Sequence, residues 1–195
     1  MSNIKLFDLN TVHTIFIDRD GVINRKLEDG SPYVTCWDKF RFLPGALEGI
    51  RMLNEVSKHV IVVTNQRGIA RGLMTESDLI NIHNQMEAAI VSYGGRLDGI
   101  YHCPHDHHQC FCRKPSSGLF EKACDDFPDI VYSTSIVVGD SEVDLQAACT
   151  IGARAVLINT RPEWPEILAR FSSTYGENPP VYPSLQSFAK SIQSG

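Results

Sequence analysis

Two carboxylates stand two residues apart in Phe16-Ile17-Asp18-Arg19-Asp20-Gly21-Val22-Ile23-Asn24, directly after the apolar run Thr14 to Ile17. In extended chain, side chains i and i+2 point the same way, so Asp18 and Asp20 are expected to face one site. An anionic nucleophile attacks a phosphoryl group only where the negative charge is neutralised, which requires a divalent cation and cationic side chains. Magnesium keeps several waters and needs few protein carboxylates, and Asp18, Asp20 and Asp140 form the expected set for it. Thr64 and Asn65, after the apolar run Val60 to Val63, offer hydrogen-bond donors for phosphate oxygens, with Gly68 permitting close backbone approach. Lys114, or Arg113 beside it, offers the cation. Asp-x-Asp-Gly alone also describes an ordinary turn, because both residue types are common there.

A second group of chemically competent residues is compact. Cys103-x-His105 and Cys110-x-Cys112 present three thiols and an imidazole, a set suited to tetrahedral zinc. Four protein ligands leave no open position, so such a zinc is structural and holds the loop that carries Arg113 and Lys114. His102, His107 and His108 compete for the imidazole place, and a reduced, metal-free loop is the alternative. A nucleic-acid-binding zinc module needs surrounding basic residues, whereas this loop contains Asp106 and Gln109. Cys36, Cys124 and Cys149 lie apart and are expected to pack as reduced thiols.

Positioning these groups requires a scaffold, and the apolar pattern supplies one. Thr14 to Ile17, Val60 to Val63, Gly99 to Tyr101, Ser135 to Val138 and Ala155 to Ile158 read as short strands covered on both faces. Helical spacing falls between them: Ala46 to Ser57 after Pro44, Glu76 to Tyr93 after the cap Thr75, Gly118 to Phe127, and Glu142 to Cys149 after Ser141. The alternation predicts an α/β fold with a parallel sheet flanked by helices. Asp18, Thr64, Cys103 and Asp140 then stand at carboxyl ends of strands, where such sheets gather ligand groups. Residues 19–43, with Gly30, Pro32, Tyr33, Trp37, Phe40 and Phe42, are too irregular for one helix and read as a flap beside the site. Its aromatic residues are expected mainly to pack. Beyond Ile158, Arg161 to Phe171 looks helical, Gly176 to Pro183 is rich in Gly and Pro, and Leu185 to Ile192 reads as a closing helix. With no repeat or linker, residues 1–195 are expected to form one domain, with its flap at about 19–43 and its zinc loop at about 103–112.

Composition narrows the partners. A net charge of -5 argues against a nucleic-acid surface, which needs clustered Lys and Arg. No apolar run approaches the ~20 residues of a membrane span, and the first residues carry no signal-peptide core, so a cytoplasmic protein is expected. Clustering of three of the six cysteines favours metal over disulfides.

The aspartate pair, the segment Thr64-Asn65-Gln66-Arg67-Gly68-Ile69-Ala70-Arg71-Gly72, Cys112-Arg113-Lys114-Pro115 and Asp140, in that order and each near a strand, resemble the motif set of the haloacid dehalogenase superfamily. Within it they resemble the D-glycero-D-manno-heptose 1,7-bisphosphate phosphatases. Tyr33-Val34, Phe42-Leu43-Pro44-Gly45 and Leu97-Asp98-Gly99-Ile100-Tyr101 look like that family too, so the likeness runs from about Thr14 through Ile158. The resemblance implies a Rossmann-like core without a large cap domain. It implies Asp18 as nucleophile, Asp20 as general acid and then base, Thr64, Asn65 and Lys114 on the phosphate, and Asp140 on magnesium. It also implies a matching zinc site and a small sugar-phosphate substrate, whose 7-phosphate is removed during synthesis of nucleotide-activated heptose for lipopolysaccharide. With only a small flap, a monomer is expected. Ser141 stands where the family often has Lys, which leaves Asp144 as a candidate auxiliary residue at the metal site. Arg19, Arg67 and Arg71 are weaker candidates for contact with a second phosphate or the sugar, since exposed arginines are mostly solvated. Histidinol-phosphate phosphatases share the aspartate pair and a short zinc loop and form the enzymatic alternative. A non-catalytic binding protein on the same fold is the other alternative, and retention of Asp18, Asp20, Lys114 and Asp140 argues against it.

Overall fold

The computed structural model describes residues 12–27, 33–158, 164–176 and 178–194. Gly30 and Pro32 of the flap, and the first residues of the helix expected from Arg161, lie outside the described residues. A six-stranded sheet forms the centre, with β1 (Thr14–Ile17) flanked by β2 (His59–Asn65) and β4 (Ser135–Gly139). Outside β2 lies β3 (Gly99–Cys103), and outside β4 lie β5 (Arg154–Ile158) and β6 (Val181–Tyr182), giving the order β3-β2-β1-β4-β5-β6. Every pairing is parallel, and Ile17 is in register with Val62 on one side and Val138 on the other.

Parallel neighbours need crossovers, and the helices α1 (Ala46–Val56), α2 (Glu76–Ser92), α3 (Gly118–Asp126), α4 (Glu142–Ile151), α5 (Trp164–Tyr175) and α6 (Leu185–Gln193) fill the intervals. Strand alternation assigns side chains to two cores. Ile15, Ile17, Val60 and Val62 pack with residues of α1, α2 and α6, while Phe16, Ile61, Val63 and Val137 pack with residues of α3 and α4. Each such buried aliphatic or aromatic side chain contributes roughly 1.5–3 kcal/mol relative to exposure. Phe16 meets Phe120 of α3 edge-on at 5.0 Å, so Phe16→Ala would leave a cavity and lose roughly 3–5 kcal/mol.

Local chemistry sets the helix starts where the sequence places them. Thr75 caps α2 in a reciprocal box with Asp78, and Ser141 caps α4 in one with Asp144. Two differences from the sequence reading have a tertiary cause. β2 and β3 run on through Asn65 and Cys103, because Thr64 pairs with His102 and Asn65 with Cys103 across the sheet. β6 lies within the Gly- and Pro-rich stretch, where no strand was expected, and its two residues pair with Leu157 and Ile158, a register no local pattern displays. α5 also continues beyond Phe171 to Tyr175.

Among the described residues, the flap contains one 3-10 turn, Trp37–Lys39, and its start and end are held together by the bridges Asp20 to Asn24 and Asn24 to Phe42. Trp37 stacks on Phe40 at 4.9 Å and Phe42 meets Phe40 at 5.0 Å, so these rings pack on one another. No helix among the described residues is long and apolar enough to cross a membrane.

Candidate active site

The strand order reverses between β1 and β4, and open parallel sheets bind ligands in the crevice at the carboxyl ends of such a pair. Asp18 leaves β1 there, its N–H still donating to the Val138 carbonyl at 2.9 Å, and Asp140 leaves β4 beside it. Gly21 turns the chain with φ +97°, and a Cβ on it would lie 2.1 Å from Asp140 Oδ2. Only glycine combines that conformation with that approach. A Cβ on Gly139 would likewise lie 2.0 Å from the Asp144 Cβ, so both glycines are required for the acidic groups to close up.

Lys114 forms the centre. Its buried Nζ donates to Asp144 Oδ1 at 2.6 Å and to the Val63 carbonyl at 2.7 Å, and lies 3.0 Å from Asp18 Oδ1. Asn65 fixes the lysine main chain from both sides, accepting from its N–H at 3.0 Å and donating to its carbonyl at 3.1 Å. The Asn65 amide, expected on the phosphate, is therefore engaged here in presenting Lys114. Asp144 joins the helix start to the site: one oxygen takes the lysine and the other accepts from the Ser141 hydroxyl at 2.6 Å.

The two aspartates after β1 differ in their surroundings. Burial pushes Asp18 up to about 6, with Asp144, Asp140 and Asp20 adding to the shift and Lys114 opposing it. Burial acts in the same sense on Asp20, but Arg19 together with hydrogen bonds from Asn24 and Gln66 outweighs it and holds Asp20 below the usual carboxylate range. Arg19 Nη2 lies 2.9 and 2.8 Å from the two Asp20 oxygens, and Asn24 and Gln66 each donate at 2.8 Å. Gln66 also reaches Thr64 Oγ1 at 3.0 Å, so the threonine and the second aspartate share one buried amide. Burial opposes the charge on Lys114, yet Asp144 and Asp18 push its proton affinity up. Lys114 therefore stays an ammonium group.

Asp18, Asp20, Thr64, Asn65, Arg113, Lys114 and Asp140 all line one cavity of about 200 Å³, together with Tyr33. Gly68 lies farther out, where a Cβ would press on Tyr33 at 3.3 Å, so its missing side chain makes room for the flap. A larger cavity of about 670 Å³ shares Lys26 and Asp140 with the first. Asp18, Asp140 and Asp144 can each offer an oxygen, all within 4.8 Å of one another, and Lys26 Nζ lies 2.7 Å from Asp140 Oδ2. Hard oxygen donors closed around one point fit a divalent cation such as magnesium. The Asp20 carboxylate, expected in that set, is absent from it, because Arg19, Asn24 and Gln66 turn it to their own side; Asp144 completes the trio.

The thiol loop also closes on a point. Cys103, Cys110 and Cys112 sulfurs lie 3.3–3.5 Å apart, and His105 Nδ1 lies 3.3 Å from Cys112 and 3.7 Å from Cys103. A tetrahedral zinc with ~2.3 Å bonds to sulfur places its sulfurs about 3.8 Å apart, so the donor set fits with slight expansion. Of the competing imidazoles, His102 is paired with Glu76 at 2.5 Å. His105 is the histidine that completes the group. Arg67, grouped in the sequence with solvated arginines, pairs with Asp106 of this loop, and Arg19 is fully buried. Gln66, Asn24 and Lys26 were not singled out from sequence; the first two sit inside the motif strings, and only the last gives no signal there.

A parallel α/β sheet of this order, with an aspartate pair after β1, a lysine braced by β2 and an acidic pair at the start of α4, defines a haloacid dehalogenase-like hydrolase. The HAD-hydrolase-like family matches residues 111–181. A D-glycero-alpha-D-manno-heptose-1,7-bisphosphate 7-phosphatase of Mycobacterium tuberculosis is 42% identical over 142 residues, covering 72% of this chain and 74% of that protein. A D-glycero-beta-D-manno-heptose-1,7-bisphosphate 7-phosphatase of Escherichia coli is 38% identical over 167 residues, covering 80% of this chain and 85% of that protein. The crystal structure of the D,D-heptose 1,7-bisphosphate phosphatase from B. bronchiseptica, complexed with magnesium and phosphate, superposes with TM-score 0.80 at 34% identity, covering 93% of this chain and 98% of that one. The chain belongs to the D-glycero-D-manno-heptose 1,7-bisphosphate phosphatase family.

Proposed function

We infer that this chain removes the 7-phosphate of D-glycero-D-manno-heptose 1,7-bisphosphate through an aspartyl-phosphate on Asp18, as a step toward nucleotide-activated heptose for lipopolysaccharide. The substrate comes from the relatives just described, and the observation that carries the mechanism is the convergence of Asp18, Lys114, Asp140 and Asp144 at the β1 and β4 ends. Arg113 lines the same cavity, and its Nη1 is buried with no hydrogen-bond partner among the described residues, a donor that a phosphoryl oxygen would satisfy.

The carboxylate of Asp18 attacks phosphorus as the bond to the sugar oxygen breaks. Lys114 and Arg113 meet the charge on the phosphoryl oxygens. Asp20 takes up a proton from solvent as the substrate binds, gives it to the departing oxygen, and later takes one from the water that attacks the acyl phosphate, releasing phosphate and restoring Asp18. An arriving phosphate dianion raises the proton affinity of Asp20, which suits it to the acid role in the first step. Magnesium, held by Asp18, Asp140 and Asp144, supplies further neutralisation of the phosphoryl charge when bound. Cys103, His105, Cys110 and Cys112 hold zinc as a structural brace behind Arg113 and Lys114. The reading includes a monomer working in the cytoplasm; sedimentation and fractionation test those points.

Magnesium-dependent phosphate release is to be measured as kcat/KM on both anomers of the heptose bisphosphate, beside histidinol phosphate and a panel of phosphomonoesters. A preference of ~100-fold for the heptose corresponds to roughly 2.7 kcal/mol of differential transition-state binding. Preference for histidinol phosphate would overturn the substrate and leave the chemistry; no turnover of any phosphomonoester would overturn both.

A further inference from the structure

We infer that His83 is a positioning residue for this reaction, fixing the acid and base Asp20 through the buried guanidinium of Arg19. The inference rests on the role given to Asp20 above.

Arg19 has no exposed surface and is the largest of the fully buried side chains among the described residues. Its Nη2 spans both oxygens of Asp20, its Nη1 lies 3.2 Å from His83 Nε2, and its Nε has no partner among the described residues. Guanidinium nitrogens only donate, so the His83 Nε2 that faces Nη1 must accept, which puts the ring proton on Nδ1. Burial first, then the charge of Arg19, lowers His83 to about 3, in keeping with a neutral ring. The donor and acceptor roles along Asp20, Arg19 and His83 are thus set by chemistry rather than by choice of tautomer.

His83 belongs to the core-facing stripe of α2, with Leu79, Ile82, Met86 and Ile90, where an apolar residue is the ordinary occupant. A polar side chain at such a place is costly unless its hydrogen bond is made. Its ring packs edge-on at 5.7 Å against His102, which in turn pairs with Glu76, so the acceptor is held from behind. Asn24 and Gln66, the other hydrogen-bond donors to Asp20, are neutral, which leaves Arg19 as the charged contact that sets the carboxylate's orientation. Without His83, Nη1 becomes a buried charged donor with nothing to bond, and the guanidinium loses the contact that locks its rotation against Asp20.

The test uses the difference between leaving groups. A sugar alkoxide needs a proton as it departs, whereas p-nitrophenolate does not, so an error in acid placement appears only with the former. In the full-length, metal-loaded protein, His83→Leu is expected to lower kcat/KM for the heptose bisphosphate about 10-fold or more, with the loss in kcat rather than KM. With p-nitrophenyl phosphate, kcat/KM is expected to change by less than about 3-fold. His83→Gln, whose amide oxygen can accept from Arg19, is expected to recover much of the loss. Equal losses on the two substrates, or a glutamine variant no better than leucine, would overturn the inference. Asp20→Asn is the reference: if it discriminates between leaving groups and His83→Leu does not, the inference alone fails. If Asp20→Asn does not discriminate, the reading of Asp20 as acid fails and the inference with it. Should His83→Leu not fold, His83→Ala with and without added imidazole gives the same comparison; rescue confined to the sugar substrate supports the inference and its absence overturns it.

Discussion

The thiol loop takes Cys103, His105, Cys110 and Cys112 from one short stretch, while the carboxylate pocket gathers Asp18, Lys114, Asp140 and Asp144 from three separate segments. The first needs only a loop that turns back on itself. The second exists only when β1 and β4 lie side by side and Gly21 and Gly139 let acidic groups close on them. The two are joined at Arg113 and Lys114, which follow the last cysteine directly, and at β2, whose Asn65 grips the lysine while nearby Arg67 pairs with Asp106. In the proposed function the chemistry belongs to the long-range cluster, and the local cluster sets where one of its members stands.

Mutations can break that division of labour. Asp18→Asn removes the proposed nucleophile, and single-turnover and steady-state assays should both show a loss of more than about 10⁴-fold, with no phosphoenzyme trapped. Cys112→Ser should empty the thiol site, seen as loss of about one equivalent of bound zinc per chain, and lower kcat/KM about 10–100-fold without abolishing it, as for a supporting group. If it proves as damaging as Asp18→Asn while the protein stays folded, the loop is part of the chemistry and the comparison fails. Asn65→Ala cuts the grip on Lys114 without touching either cluster. It should cost about 1–3 kcal/mol in melting experiments and reduce kcat/KM about 10-fold with zinc content unchanged.

The smallest effect is in pH. Without a divalent cation, the Asp18 carboxyl is raised from 3.8 to about 6. Its contribution to stability is therefore full below 3.8 and is lost as pH rises through about 6, because the folded state binds the extra proton in that window. A cation on Asp18 competes with that proton, so added magnesium should raise Tm more at about pH 7.5 than at about pH 5. An equal gain at both would remove Asp18 from the ion's ligands.

Much of this was legible in the sequence. The central strands and the capped starts of α2 and α4 follow from buried apolar runs and from Thr75 and Ser141, all local signals. Asp18 and Asp20 were placed together by strand periodicity, and Lys114 and the thiol set by residue type. The alternation did not separate their environments: one aspartate faces Lys114, and the other is held by Arg19, Asn24 and Gln66. Arg19 looked like one more surface arginine, because burial of a charge depends on partners distant in sequence, here His83.

By itself, then, the sequence determined which groups are available and which local turns and helix caps form, because propensity, periodicity and short spacings act within a few residues. Only the tertiary structure decided that Asp144 rather than Asp20 shares the cluster of Asp18 and Asp140, that Asn65 grips Lys114, and that two residues near Val181 complete the sheet. Those outcomes turn on distances between segments far apart in the chain. Such distances are fixed by which strand lies beside which, and by how closely glycine lets them approach.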